Sequence, residues 1–211
     1  MTCWQCKAEA GDGPLCGACA TIQPLPPAQK LFAALDLPES WFLDPKTVED
    51  RFKELNKKLH PDRFAQKSPK ERRLSLEWTT AVNDAYRILK DPVKRAIYLC
   101  KLSGIEVERE GGGSAMQTMA PDFLEEVMEL REKLEDAKAA KDLVAVRALA
   151  KDVKGRADKV TRTLTELFER WEKSKEEKGP LERAAAALAT LKYYGRFQEE
   201  VEAIEMAALE A

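Results

Sequence analysis

The sequence predicts an all-α protein with a helical hairpin, a C-terminal antiparallel three-helix bundle, and a small tetracysteine knuckle before the hairpin. Three observations support this fold class. Apolar residues recur at spacings of three and four through two regions, prolines and glycines divide these regions into helical lengths, and two C-x2-C pairs lie near the N-terminus. The chain of 211 residues is long enough for one or two ordinary domains.

The cysteine pairs form a metal-binding pattern within residues 1–23. The spacing C-x2-C-x9-C-x2-C is formed by Cys3, Cys6, Cys16 and Cys19. The intervening Gly11, Gly13 and Gly17 are expected to give the backbone freedom that tight thiolate turns need. Four thiolates at this spacing can close a tetrahedron around zinc, and in a stretch without a hydrophobic core the metal would supply most of the folding energy. We therefore predict structural zinc, with an iron–sulfur cluster open as an alternative and disulfides disfavoured in a reducing compartment.

A proline-rich connector separates this pattern from the first predicted helix. Pro24, Pro26 and Pro27 cannot lie inside a regular helix, because proline lacks the amide proton. Residues 28–37 then predict one short helix, which Pro38 stops.

The next helix carries a basic face opposite its core. Asp44 is a good N-cap and Pro45 suits the first helical position. The predicted core positions recur at four, three and four residues and are Val48, Phe52, Leu55 and Leu59. Lys53 and Lys57 lie opposite this face, and Arg51 and Lys58 flank it.

The sole histidine of the chain begins the tripeptide His60-Pro61-Asp62. Pro61 cannot continue the helix, so residues 60–67 are predicted to form a loop. Ser68 and Glu71 then read as a capping box for a further helix. The predicted core positions of that helix are Leu74, Trp78, Ala81, Val82, Ala85 and Leu89. A short helix capped by Asp91 follows, and Cys100 within this apolar stretch is expected to be a buried, inert thiol.

A second helical region follows a glycine-rich segment. The polar residues 106–120 contain Gly-Gly-Gly-Ser at 111–114 and predict a flexible linker, after which Asp122 is expected to be a helix N-cap. The first bundle helix has a seam formed by Phe123, Val127, Leu130, Leu134 and Ala137. A helix over about 143–175, a turn at Gly179-Pro180 and a third helix complete the predicted bundle. The third helix is expected to place inward Leu188, Leu191, Tyr194, Phe197, Val201 and Ile204.

One face of the first bundle helix lies outside this seam. Leu124 and Met128 are one turn apart, with Glu129 and Glu132 nearby, and Tyr193 is likewise outside the inward stripe of its helix. Exposed apolar side chains rimmed by carboxylates suit a protein partner with basic edges. The alternative is a broader core stripe that includes Leu124 and Met128.

The charge distribution indicates two surfaces with two partners. The net charge is −2, but residues 1–104 carry 17 basic and 13 acidic side chains, and the remainder carries 18 and 24. A nucleic-acid binder of this size would have a strong basic excess, so nucleic acid is disfavoured. No apolar run is long enough for a bilayer and no targeting pattern is evident, so we expect a cytoplasmic location and no membrane partner.

The helical hairpin resembles a J-domain, and more narrowly that of the HscB family of co-chaperones in iron–sulfur cluster biogenesis. The resemblance is carried by the strings at 31–38, 55–64 and 82–96, which include LFAALDLP, LNKKLHPDRF and VNDAYRILKDP. The string FLEEVMELREKL at 123–134 is similar to the scaffold-binding helix of the family. The resemblance implies a zinc-binding module over 1–23, as in some members, a J-domain over 28–104, a linker over 105–120 and a scaffold-binding bundle over 121–211.

The resemblance also implies two partners. One is a DnaK-class ATPase chaperone of the HscA type, whose ATP hydrolysis would be stimulated through His60, Pro61, Asp62, Arg51, Lys53, Lys57 and Lys58. The other is the IscU-type scaffold, for which the matching positions are Leu124, Met128, Glu129, Glu132, Asp136 and Tyr193. Glu125 and Tyr193 depart from relatives that carry an apolar residue and phenylalanine there, so a smaller or more acidic patch is expected. Weak self-association is left open.

The sequence has no pattern that indicates an enzyme. It lacks a visible triad, paired acid–base carboxylates, a phosphate-binding loop or a dinucleotide fingerprint, so we expect a co-chaperone that activates a partner ATPase. Two alternatives stay open: a metal or redox protein with a cysteine-ligated cluster, and a general J-protein that serves unfolded clients.

Overall fold

The computed structural model describes residues 1–107 and 121–209, and the chain divides into two compact units, Met1–Leu99 and Cys100–Ala211. The described residues form seven α-helices and one short 3-10 helix, without a β-strand, which confirms the predicted all-α class. The α-helices are α1 (Leu31–Ala34), α2 (Pro45–Leu59), α3 (Pro69–Leu89), α4 (Pro92–Leu102), α5 (Pro121–Ala139), α6 (Leu143–Lys173) and α7 (Gly179–Leu209). Most of the predicted linker, residues 108–120, lies outside the described residues.

The first helix is shorter than the predicted 28–37. It ends early because Asp36 takes a left-handed backbone conformation, with a φ of 52°. The Asp36 amide donates to the Ala33 carbonyl at 3.1 Å and the Leu37 amide donates to the Phe32 carbonyl at 2.9 Å. These two bonds form a Schellman cap, in which Asp36 occupies the position that glycine usually fills.

The predicted caps of α2 and α3 are confirmed. The Asp44 carboxylate accepts a hydrogen bond from the Thr47 amide at 2.8 Å. At the start of α3, the Glu71 amide donates to Ser68 Oγ at 3.3 Å, and the Ser68 amide donates to the Glu71 carboxylate at 3.0 Å. The two bonds complete the capping box and fix where α3 begins.

The segment between these helices is more ordered than the predicted loop over 60–67. Residues Pro61–Phe64 form a 3-10 helix, in which the Arg63 amide donates to the His60 carbonyl at 3.0 Å. Proline suits the first position of a helix, where its missing N–H breaks no bond. Phe64, the last residue of this turn, is buried in the core.

The hairpin core follows the predicted pattern. Phe52 is half-buried and stacks on Tyr86 with ring centroids 4.1 Å apart. Ala81 is half-buried, at the edge of the core. The predicted positions of α2 and α3 that are buried are Val48, Leu55, Leu59, Leu74, Trp78, Val82, Ala85 and Leu89.

The second unit contains the three long helices α5, α6 and α7. Their buried core consists of Leu130, Leu134, Ala137, Val146, Val153, Tyr194, Phe197 and Val201. Helix α5 already begins at Pro121, so Asp122 lies in its first turn and the predicted N-cap is wrong. Helix α6 is capped by Asp142 and ends at Lys173, two residues before the predicted end. Cys100 is buried, and burial raises the pKa of its thiol to about 11, as expected for an inert cysteine.

Candidate functional site

The four N-terminal cysteines converge on one point. Their sulfur atoms all lie within 4.8 Å of one another. The Cys3 and Cys19 sulfurs are 3.7 Å apart and the Cys6 and Cys16 sulfurs are 3.8 Å apart. Sulfurs bound tetrahedrally to one zinc ion would be about 3.8 Å apart, given a Zn–S bond of about 2.3 Å. The cysteines therefore fit a single metal ion.

Two similar backbone turns position these thiols. In the first, the Lys7 amide donates to the Cys3 carbonyl at 3.1 Å; in the second, the Ala20 amide donates to the Cys16 carbonyl at 2.8 Å. Lys7 and Ala20 have left-handed backbones, with φ of 65° and 56°. The predicted role of the glycines in these turns is therefore wrong, since Gly11, the glycine here with a positive φ, lies between the turns.

The thiols differ in how easily they ionise. Burial disfavours the Cys3 thiolate, but the backbone N–H groups of Cys6 and Gln5 outweigh it and lower the pKa of Cys3 to about 6. The Ala8 amide favours ionisation of Cys6, yet the neighbouring Cys19 thiol, burial and the other thiols raise the pKa of Cys6 to about 12. Close thiolates repel one another, and a bound cation would remove that repulsion and allow all of them to ionise.

The tripeptide at the end of α2 is exposed and locally ordered. His60 and Asp62 are exposed, whereas Pro61 is half-buried. The Asp62 side chain is 90% exposed, with Oδ2 3.5 Å from His60 Nδ1, so its carboxylate is accessible to a cation on another protein.

Two hydroxyl groups of α3 hold the base of this loop. The Leu59 carbonyl ends α2 and accepts a hydrogen bond from Ser75 Oγ at 2.6 Å. Thr79 Oγ1 shares its one proton between this carbonyl, at 3.2 Å, and the Ser75 carbonyl, at 2.8 Å. Ser75 is fully buried, so its bond to Leu59 lies away from water. Neither residue was among the predicted site residues. The signal in the sequence was a pair of small polar residues four apart on the inward face of α3.

Most of the predicted basic residues are already paired with carboxylates. Arg51 pairs with Asp36, Lys53 with Glu49 at 2.6 Å, and Lys58 with Glu54 at 2.6 Å. The predicted cationic face is therefore partly neutralised. Its charge is concentrated at Lys57, which has no acidic partner within ion-pair distance in the described part of the chain.

A shallow pocket lies beside the tripeptide. Its volume is about 460 Å³ and it is lined by Lys53, Asn56, Lys57, His60 and Arg63. Asn56 and Lys57 lie three and four residues after Lys53 and so share one face of α2 with it, and His60 follows at the C-cap of the helix. Asn56 and Arg63 were not among the predicted site residues, although this spacing indicates Asn56.

The predicted face of α5 is exposed at its centre. The side chain of Met128 is 69% exposed, while Leu124 is half-buried. Met128 thus lies outside the core. Leu124 is partly buried, which agrees in part with the alternative of a broader core stripe. The acidic side chains around them are exposed and are Glu125, Glu129, Glu132 and Asp136.

Tyr193 packs directly against this helix. Its hydroxyl donates to the Val127 carbonyl at 3.3 Å, and its ring meets Phe123 edge-on with centroids 5.8 Å apart. Burial raises the pKa of Tyr193, so the hydroxyl stays protonated at neutral pH. The structure therefore brings Tyr193 to the turn that lies between Leu124 and Met128.

A polar network that was not predicted from the sequence links α5 to α6 and α7. The Glu126 carboxylate accepts from the Tyr194 hydroxyl at 2.6 Å and pairs with Arg156 at 2.9 Å. Arg156 also pairs with Asp152 at 2.9 Å. Glu126, Arg156 and Tyr194 come from three different bundle helices, whereas Asp152 lies one turn before Arg156 on α6. Spacing within one helix could therefore not indicate the bonds to Glu126.

None of the helices in the described ranges combines the length and apolar character that crossing a bilayer requires.

Each of the two units matches a known protein family. The DnaJ domain family matches residues 30–98, and the family described as the HSCB C-terminal oligomerisation domain matches residues 119–202. The iron–sulfur cluster co-chaperone protein HscB of Mus musculus is 31% identical over 203 residues, which cover 94% of this chain and 80% of the mouse protein. The co-chaperone protein HscB homolog of Paraburkholderia phymatum is 41% identical over 123 residues, or 58% of this chain and 68% of that protein.

A solved structure extends this similarity to 98% of the chain. The crystal structure of human co-chaperone protein HscB has a TM-score of 0.83 and 28% identity, covering 98% of this chain and all of the human one. Such coverage includes the tetracysteine module as well as both helical units.

Proposed function

Because this chain belongs to the HscB family of iron–sulfur co-chaperones, we propose that it activates a DnaK- or HscA-type ATPase and delivers an IscU-type scaffold to it. The protein would act as an adaptor during cluster assembly and transfer. The observation that carries this proposal is the exposed His60-Pro61-Asp62 turn, held between two capped helices.

The chaperone would bind at the end of α2. The exposed Asp62 carboxylate can form a charge-assisted hydrogen bond with a basic residue of the ATPase. Lys57 and the pocket beside His60 present positive charge to an acidic surface. Further contacts are proposed for Pro61, Arg51, Lys53 and Lys58.

The scaffold would bind on the exposed face of α5. Met128 and Leu124 would be the apolar anchors, and Tyr193 would support them from α7. The carboxylates of Glu129, Glu132 and Asp136 would meet basic groups at the rim of the scaffold.

We propose zinc for the tetracysteine site, held by Cys3, Cys6, Cys16 and Cys19. The short sulfur–sulfur distances support one ion over an iron–sulfur cluster, which places several irons and sulfides among its thiolates. Bound zinc would act as a structural cross-link.

With this assignment, residues 1–23 form the metal module, 28–104 the J-domain, 105–120 a linker and 121–211 the scaffold-binding domain. We propose a cytoplasmic location, where a reducing environment keeps thiols available to a metal. The name of the C-terminal family supports weak self-association.

The test is ATP hydrolysis by the cognate chaperone, measured with this protein alone, with scaffold alone and with both. The adaptor proposal expects more than additive stimulation when both are present, because the protein would bring them together. Stimulation by this protein that is insensitive to scaffold would instead support a general J-protein. No stimulation under any condition would refute the chaperone half.

A further inference from the structure

Gln23 lies at the point where the metal module meets the helical hairpin. Its side chain is only 1% exposed, which is unusual for a neutral polar residue of this size. The amide nitrogen Nε2 lies 3.2 Å from the sulfur of Cys3 and 2.8 Å from the Thr21 carbonyl. A buried polar side chain is therefore aimed at one of the four metal-ligand thiols.

The orientation of this amide follows from its neighbours. The Thr21 carbonyl accepts hydrogen bonds and cannot donate one, and a metal-bound Cys3 thiolate is likewise an acceptor. The donor Nε2 must therefore face them. The other amide atom, Oε1, has no hydrogen-bond partner among the described residues, so the side chain is held through its donor.

The same residue is bonded to α3 through its backbone. The indole nitrogen of Trp78 donates to the Gln23 carbonyl at 2.8 Å, and Trp78 is itself buried at the centre of the hairpin. A second contact lies nearby, where Lys70 Nζ is 3.9 Å from the centre of the Trp4 ring. The Trp4 indole nitrogen in turn donates to the Ile22 carbonyl at 2.7 Å, next to Gln23.

We propose that Gln23 is a positioning residue that donates to the metal-bound Cys3 thiolate and couples metal occupancy to the stability of α3. The module has little apolar core of its own, so its fold depends on the metal. When the module is folded, the Gln23 carbonyl can accept from Trp78 and brace the helix whose Ser75 and Thr79 hold the base of the His60 loop. This inference rests on the proposed metal site but not on either protein partner.

The first test measures the bond to Cys3 in the full-length, reduced protein with cobalt(II) in place of zinc. Cobalt affinity, from competition with a chelator, should fall about tenfold in Gln23→Leu, because loss of a hydrogen-bond partner of a metal ligand typically weakens metal binding by this much or more. The sulfur-to-cobalt charge-transfer band should shift to longer wavelength, because the thiolate loses a hydrogen bond. The control Gln5→Leu makes the same change on an exposed side chain of the module and should alter neither property.

The outcomes of this test distinguish a failure of the proposed metal site from a failure of the proposed role of Gln23. Absence of tetrathiolate bands in the wild type would refute the metal site itself. A wild-type spectrum together with unchanged affinity and band position in Gln23→Leu would overturn the role of Gln23 alone.

The second test measures the coupling to α3 by amide hydrogen exchange, with metal bound and after chelation. Metal removal should speed exchange in peptides from α3, while α6 in the other unit serves as the internal reference. Trp78→Phe removes the indole donor to Gln23 and should reduce the metal-dependent protection of α3. Its cobalt spectrum should stay as in the wild type, because the Gln23 amide and the four thiols are unchanged. Equal exchange in wild-type α3 with and without metal, or full protection in Trp78→Phe, would overturn the coupling.

Discussion

The ring nitrogen Nδ1 of His60 accepts a hydrogen bond from the backbone amide of Asp62 at 3.3 Å. This contact closes the 3-10 turn over Pro61 and leaves the Asp62 carboxylate directed to solvent. The histidine therefore has a structural part in the loop that does not require it to act as a proton carrier.

The unpaired charge of Lys57 should contribute more to chaperone affinity than the paired charge of Lys58. Lys57→Ala should weaken chaperone binding about three- to tenfold, because it removes a cation beside His60 that no carboxylate in residues 1–107 or 121–209 neutralises. Lys58→Ala is the matched control and should have a smaller effect, since Lys58 is paired with Glu54 at 2.6 Å. Titration calorimetry at low and high salt checks this, and equal losses in both variants would contradict it.

Loss of the hydroxyl bonds to Leu59 should destabilise the base of the loop. In Ser75→Ala with Thr79→Val the buried carbonyl loses both partners, so the free energy of unfolding should fall by about 2 kcal/mol. ATPase stimulation should fall as well, at temperatures where the variant is still folded. The control Thr80→Val removes an exposed hydroxyl that bonds within its own helix at 3.0 Å and should change little. Urea unfolding followed by circular dichroism makes the comparison; wild-type stability in the double variant would count against this role.

Truncation of the exposed α5 face should weaken scaffold binding. Leu124→Ala with Met128→Ala should raise the dissociation constant about thirtyfold, as expected for loss of apolar anchors worth about 2 kcal/mol. Val144→Ala with Met206→Ala is the control, because these side chains are 77% and 60% exposed elsewhere on the same unit. Calorimetric titration with scaffold tests the difference. Equal affinity in a folded double variant and wild type would refute the assignment of this face.

Local chemistry made much of the fold predictable from the sequence. The caps at Asp44 and Ser68 depend on residues three apart, so a short pattern contains both partners. The cysteine spacing likewise indicated the convergence of the four thiols. The end of α1 was missed because Asp36 takes a conformation that usually calls for glycine.

Features that depend on distant residues could not be predicted in this way. The bonds from Ser75 and Thr79 to Leu59 join two helices, and Glu126 finds Tyr194 at a separation of 68 residues. The sequence also did not indicate that Arg51 of the basic face is paired, because its partner Asp36 lies at the end of α1 and not on α2. Spacing within one helix contains no information about such partners.

The most direct test of the adaptor account is single-turnover ATP hydrolysis by the cognate chaperone with Asp62→Asn. The substitution keeps the size of the side chain and removes the exposed charge that the account assigns to the ATPase. The control Asp158→Asn makes the same change on an exposed position of α6. We predict that Asp62→Asn loses at least about tenfold of the stimulation, which corresponds to a charged hydrogen bond of about 1.4 kcal/mol or more, and that Asp158→Asn keeps it. Full stimulation by a folded Asp62→Asn protein would contradict the account.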